Sequence, residues 1–191
     1  MHMPIEKFKI GVVGNGYVGK ATQLFSCEDI ECLVYDKDTE KCNPIGTTIK
    51  DLKGCDLIFV CVPTPMKGNG SCDLSIVKSD IKDLTRARIK KNKIVVRSTV
   101  PVGTCEKLGV NFMPEFLTEK NWQSDFYNNN LWVFGMDNIN DVTIQKSNEV
   151  FLKISCEPHI EYELRDHFTF EVEGAKFMPQ YRNRNWNGEI H

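Results

Sequence analysis

The sequence predicts a doubly wound, mostly parallel α/β sheet, and three observations carry that expectation. Short apolar runs that read as strands buried on both faces recur at residues 10–13, 32–35, 57–62, 94–97, 110–113 and 131–134. Helical or turn-rich segments separate them, as an α/β alternation requires. The first run leads straight into three glycines, Gly14, Gly16 and Gly19, at G-x-G-x-x-G spacing ahead of a helix-like segment.

Taken in chain order, the glycines come first. Gly14 permits a tight turn, Gly16 permits close approach of the backbone to a pyrophosphate, and Gly19 permits the helix to pack on the strand. Asn15, Tyr17 and Val18 complete the loop, and free N–H groups at the helix start suit phosphate. This is a Rossmann-type dinucleotide site candidate. The second run ends in Asp36, about twenty residues further on, where a ribose-binding acid belongs. Its carboxylate accepts from both ribose hydroxyls and repels a 2′-phosphate, which favours NAD over NADP, although Lys37 and Lys41 leave some room for phosphate. The plain alternative is that Asp36 opens a turn with Lys37 and Asp38.

Residues 73–87 begin with a capping Asp73 and continue with helical apolar spacing, so they serve as a crossover helix between the third and fourth strands. A weaker apolar face predicts a helix over 141–151. From about Pro158 the pattern changes to strand-period alternation at 159–164 and 168–172, an antiparallel hairpin. Residues 180–187 are polar with isolated aromatics and read as a loose tail, or as a segment docking on a partner subunit. The expected division is a dinucleotide-binding domain over 1–157 and a β-rich or irregular extension over 158–191.

Composition narrows the function classes. With 191 residues, 41% hydrophobic, 26% charged and a formal charge of −2, the chain is an ordinary globular one with no basic field for nucleic acid or membrane. No apolar run approaches the roughly 20 residues of a membrane span, and residues 1–7 lack the apolar core of a signal peptide. The eight cysteines include no C-x-x-C pair and several interrupt strand patterns, which points to reduced thiols and a cytoplasmic location. The four histidines show no zinc-ligand spacing, so no metal site is expected.

Three more motifs fall at strand ends, the edge where open α/β sheets bind ligands. Val60-Cys61-Val62-Pro63-Thr64-Pro65 holds a strand exit with two prolines. Arg97-Ser98-Thr99-Val100-Pro101-Val102-Gly103-Thr104 places hydroxyls before a proline-started helix. Phe112-Met113-Pro114-Glu115-Phe116-Leu117-Thr118-Glu119 places two carboxylates four residues apart. On residues alone, Thr99 is either a helix cap or a site residue, Phe116 and Leu117 are either core or site, and Glu115 and Glu119 are either a solvated face or functional.

Together with G-x-G-Y-V-G, these motifs resemble the N-terminal domain of the UDP-glucose/GDP-mannose dehydrogenase family, matching in order from about Phe8 to Phe134. The resemblance implies NAD as cofactor and oxidation of a nucleotide-sugar primary alcohol to a carboxylate in two hydride transfers. It implies that Gly14, Tyr17, Val18, Asp36, Lys41, Val62 and Thr64 contact NAD, with Ser98 and Thr99 at the nicotinamide end and Thr99 and Glu115 serving catalysis. Glu115 would act in acid–base or water-ordering chemistry, Phe116 and Leu117 would present backbone to the sugar nucleotide, and Glu119 would sit between substrate and cofactor. The chain departs from the family pattern at Met113, where Asn is usual, at Arg97, where Lys is usual, and at Met66, where Thr is common.

The family's G-G-x-C nucleophile and its connecting-helix Lys and Asn find no match in these 191 residues; Cys61 and Cys105 read as packing residues. Without a thiol nucleophile the covalent route to the acid is not available. Three readings follow: one part of a truncated or split enzyme completed by a second subunit, an oxidoreductase making a single hydride transfer, or a catalytically silent NAD- or nucleotide-binding protein.

Overall fold

Period-two alternation in the first strand sets the two faces of the sheet. In β1 (Phe8–Val13) Phe8, Ile10 and Val12 point to one side, while Val13 points to the other. The computed structural model describes residues 7–28, 30–129, 131–136, 159–164 and 169–170. Within them, β1 is followed by α1 (Tyr17–Gln23), β2 (Ile30–Tyr35), β3 (Leu57–Val60), α2 (Ser75–Arg86), β4 (Ile94–Val96), α3 (Thr104–Leu108), β5 (Asn111–Phe112), α4 (Trp122–Tyr127), β6 (Leu131–Met136), β7 (His159–Leu164) and β8 (Thr169–Phe170).

Among the described residues these strands form one sheet in the order β2-β1-β3-β4-β5-β6-β7-β8. Strands β1 to β5 run parallel, with registers such as Ile10↔Cys32, Ile10↔Leu57, Phe59↔Val95 and Val96↔Phe112. The chain starts in the sheet's interior, steps outward to β2 and returns across β1 to β3. That reversal is the switch point at which such sheets bind ligands.

Two cores cover the two faces. Ile10, Val12, Phe25, Phe59, Met113, Phe126 and Phe134 pack on the α1 and α4 side, where Phe126 meets Phe25 edge-on at 5.0 Å between centroids. Ile58, Val60, Val77, Ile81, Leu84, Ile94, Val96 and Val110 pack on the α2 side. The spacing of Val77, Ile81 and Leu84 is one helical stripe, and it is buried.

Three local expectations need correction. The sixth run pairs antiparallel to β5, through Phe112↔Gly135, so the parallel order stops at β5. The helix after Pro101 begins only at Thr104, because Gly103 adopts φ 78° and serves as its N-cap; Thr99 therefore caps no helix there. Asp73 precedes the N-cap Leu74, and its Oδ1 accepts from the Ser75 N–H at 2.9 Å. The hairpin expected at the end is present as β7 and β8, antiparallel through Tyr162↔Phe170, and β7 adds to the sheet by pairing parallel with β6. The helix expected over 141–151 and the tail over 180–187 lie outside the described residues.

Candidate active site at the carboxyl edge of the sheet

The glycine loop is shaped by what surrounds each glycine. Gly14 has φ 92°, and a Cβ there would stand 2.6 Å from the Cys61 carbonyl oxygen. A Cβ on Gly19 would collide with the Gly14 carbonyl oxygen, so α1 can start this close to β1 only without one. Gly16 differs: a Cβ there meets nothing and would project into open space. Two glycines thus build the turn, and the third leaves open space at the cavity wall. The residues present fit a dinucleotide pyrophosphate.

Asn15 ties this loop to the end of β2. Its N–H donates to Asp36 Oδ2 at 2.7 Å, its Nδ2 donates to the Lys41 carbonyl at 2.6 Å, and its Oδ1 accepts from Gln23 Nε2 at 2.8 Å. The other Asp36 oxygen accepts from the Asp38 N–H at 2.9 Å. The Asp36 carboxylate is held beside the glycine turn by backbone donors, with acceptor capacity left for hydroxyls.

Hydroxyl side chains join the ends of β3, β4 and β5. Ser98, 5% exposed, accepts from the Val62 N–H at 2.9 Å and donates to the Val62 carbonyl at 2.7 Å. Thr64 Oγ1 donates to the Thr99 carbonyl at 2.8 Å, and Thr99 Oγ1 donates to Glu115 Oε1 at 2.6 Å. This last bond is short and charge-assisted, so it fixes one carboxylate oxygen and leaves the other free to accept a proton. Tyr17, at the start of α1, faces the same acids: burial raises its phenol pKa, and the charges of Glu115 and then Glu119 raise it further.

Beneath the site lies a cation. Arg97 is 1% exposed, with its guanidinium 5.7 Å from the Phe25 centroid and 6.0 Å from that of Phe59. Burial holds its pKa below the usual arginine value, while Cys61 and Glu115 push it back up. The Cys61 thiol is driven by burial to about 11, which keeps it protonated and un-nucleophilic at neutral pH.

A cavity of about 410 Å³, within the range of small-molecule sites, gathers most of the expected residues: Gly14, Asn15, Gly16, Tyr17, Val18, Asp36, Lys41, Val62, Thr64, Ser98, Thr99 and Glu115. Cys61 and Pro63 also line it. Gly19, Phe116, Leu117 and Glu119 do not. Gly19 serves the helix approach, and Leu117 packs against the core under α1. Glu119 is exposed beyond the cavity, on a loop where the Thr118 N–H and Oγ1 both donate to Asp125 Oδ2 at 2.7 Å. Sequence reading did not anticipate α4, which supplies Asp125, nor the burial of Arg97 against Phe25 and Phe59. The sequence signal for Arg97 was its position between an apolar run and the Ser-Thr pair.

Comparison with known proteins bears on the family and the fold. A profile described as "UDP-glucose/GDP-mannose dehydrogenase family, NAD binding domain" matches residues 45–155. A UDP-glucose 6-dehydrogenase of Rickettsia bellii is 33% identical over 101 residues, covering 47% of this chain and 23% of that protein. The crystal structure of a ternary complex of GDP-mannose dehydrogenase from Pseudomonas aeruginosa superposes with a TM-score of 0.68 at 22% identity, over 81% of this chain and 46% of that one; at that identity it speaks for the fold. The chain thus spans less than half the length of these relatives. A second profile, "DNA helicase UvsW, N-terminal", matches residues 141–191, and the phage T4 ATP-dependent DNA helicase uvsW is 38% identical over 50 residues, 26% of this chain and 10% of that protein.

Proposed function

Since the chain belongs to the UDP-glucose/GDP-mannose dehydrogenase family through its NAD-binding domain, we propose that it binds NAD and a nucleotide sugar at this edge. On this reading it forms the oxidoreductase half of an enzyme acting on a CH–OH group. NAD, when bound, supplies the hydride acceptor. Gly14 and Gly16 bring backbone to the pyrophosphate, Asp36 accepts from the ribose hydroxyls, and Thr64, Ser98 and Thr99 shape the nicotinamide end. Glu115, oriented by Thr99, takes the proton of the reacting hydroxyl directly or through one water. Phe116, Leu117 and Glu119 border the sugar nucleotide, UDP-glucose or GDP-mannose by the family's range.

The observation that carries this reading is the meeting of the glycine turn, Asp36 and the Thr99–Glu115 pair in one cavity. Two buried thiols, Cys61 beside the glycine turn and Cys55 beside β1, bear on the split-enzyme form. Cys61 is pushed to about 11 and Cys55 to about 12, both by burial, so neither replaces a catalytic thiolate. A second subunit, or chain beyond these residues, would then supply the nucleophile and its Lys, with domains divided near residue 157. Among the described residues seven cysteines are free thiols, in keeping with a cytoplasmic setting, and no helix is long and apolar enough to cross a membrane.

The chain with NAD and UDP-glucose, then with GDP-mannose, followed by NADH absorbance, tests the reading. Stoichiometric NADH from one hydride transfer supports an oxidoreductase acting alone. NADH only after adding a polypeptide that carries a G-G-x-C segment supports the split form. NAD binding without NADH under either condition leaves the catalytically silent reading.

A further inference from the structure

Lys37 follows the ribose-reading Asp36 directly, so its ammonium is within side-chain reach of a 2′-phosphate, the group that separates NADP from NAD. The fold sends it elsewhere. Its Nζ lies 3.1 Å from Asp80 Oδ1, and Asp80 is a residue of α2 whose side chain is 1% exposed while that of Lys37 is 61% exposed. Lys37 is absent from the cavity lining, whereas its neighbour Asp36 and the later Lys41 belong to it.

The charges around Asp80 explain why Lys37 stays there. Burial raises the Asp80 pKa, and the negative charges of Asp83 and Asp36 raise it further, while Lys37 lowers it. Burial and then the charge of Asp80 raise the Tyr35 phenol pKa. A carboxylate so enclosed is costly to leave without its cation, so the pair resists opening more than an exposed one does. Lys41, the other cation near the ribose end, meets Asp38 at 3.2 Å with both side chains about half exposed, which is a far weaker tether.

We propose that Asp80 is a positioning residue for cofactor selection: it draws Lys37 away from the ribose site, so that Asp36 stands there without the cation next to it in the chain and NADP is disfavoured, Lys41 being the one lysine left in the lining. The proposal rests on the NAD-binding reading above and extends it to a residue outside the cavity.

The test is titration of NAD and of NADP, by calorimetry, into the wild-type chain, Asp80→Asn, Lys37→Ala and the double variant. Asp80→Asn is expected to tighten NADP about tenfold, the worth of roughly one charge-assisted hydrogen bond, and to leave NAD within about twofold. That gain should shrink as salt rises and vanish in the double variant. Lys37→Ala alone is expected to leave the NADP to NAD ratio unchanged, because that ammonium is already committed. A folded Asp80→Asn chain with an unaltered ratio overturns the proposal. So does weaker NADP binding in Lys37→Ala, which remains decisive if Asp80→Asn fails to fold. A wild-type chain that binds neither nucleotide removes the site itself, and the first arm separates that outcome from the other two.

Discussion

At residue scale, the three glycines of one motif should fail in different ways. Gly14→Ala places a Cβ 2.6 Å from a carbonyl oxygen at φ 92°, and Gly19→Ala meets the Gly14 carbonyl. Each should lower stability by about 2 kcal/mol or more, the scale of a left-handed penalty or a backbone clash. Gly16 sits at φ −76° with open space beside it, so Gly16→Ala should melt like wild type and yet lose NAD affinity at least about tenfold as its methyl enters the pyrophosphate cradle. Paired melting curves and NAD titrations read both effects. A Gly16→Ala chain that melts well below wild type would show that this position serves the fold. Thr99 illustrates what sequence alone withheld: its partner Glu115 is 16 positions away in the loop after a different strand, and no local pattern distinguishes that contact from a helix cap.

At the scale of elements, the buried thiols make a pH prediction. Burial raises Cys32 and Cys55 to about 12 and Cys61 to about 11, from an ordinary value of 9.0. Above pH 9 the unfolded chain releases these protons while the folded chain retains them, so stability falls as pH rises from about 9 to 11. The urea midpoint should therefore drop between pH 8 and pH 10.5, and Cys55→Ala, weaker at pH 8 through lost packing, should show a shallower alkaline decline. The opposite sign applies at the Thr118 turn. Hydrogen bonds from Thr118 hold the Asp125 carboxyl below its ordinary 3.8, so the turn before α4 is intact above that value and is lost as pH falls through the depressed one. The Thr118 amide resonance should shift with that titration, and Asp125→Asn should abolish the shift. Strands β1 to β5 were legible because continuous apolar runs fit a sheet covered on both sides. The direction of β6 was not, since an apolar run carries no polarity, and α4 was missed because six residues with one buried side chain, Phe126, leave no periodic stripe.

For the whole molecule, the motif order brings the candidate site residues to one edge of the sheet, because each motif ends a strand and parallel strands present those ends together. What the sequence could not supply was the ion-pair wiring behind the edge, such as Lys37 to Asp80, which depends on how α2 settles on the sheet. The match of residues 141–191 to a DNA helicase segment raises a separate question of partner. That stretch carries six Lys or Arg against nine Asp or Glu, the reverse of an electrostatic footprint for phosphate backbones. The chain is therefore expected to give no mobility shift with duplex or forked DNA at moderate salt; a salt-sensitive shift would contradict that expectation.

The central claim is a working NAD site at the carboxyl edge of β1 to β5, and calorimetric titration of the cofactor-stripped chain with NAD tests it most directly. Saturable one-to-one binding is expected, weakened at least about tenfold in Asp36→Ala by loss of the hydrogen bonds to the ribose and strengthened when UDP-glucose is present. Absence of binding at millimolar NAD, or binding that Asp36→Ala leaves unchanged, would contradict it.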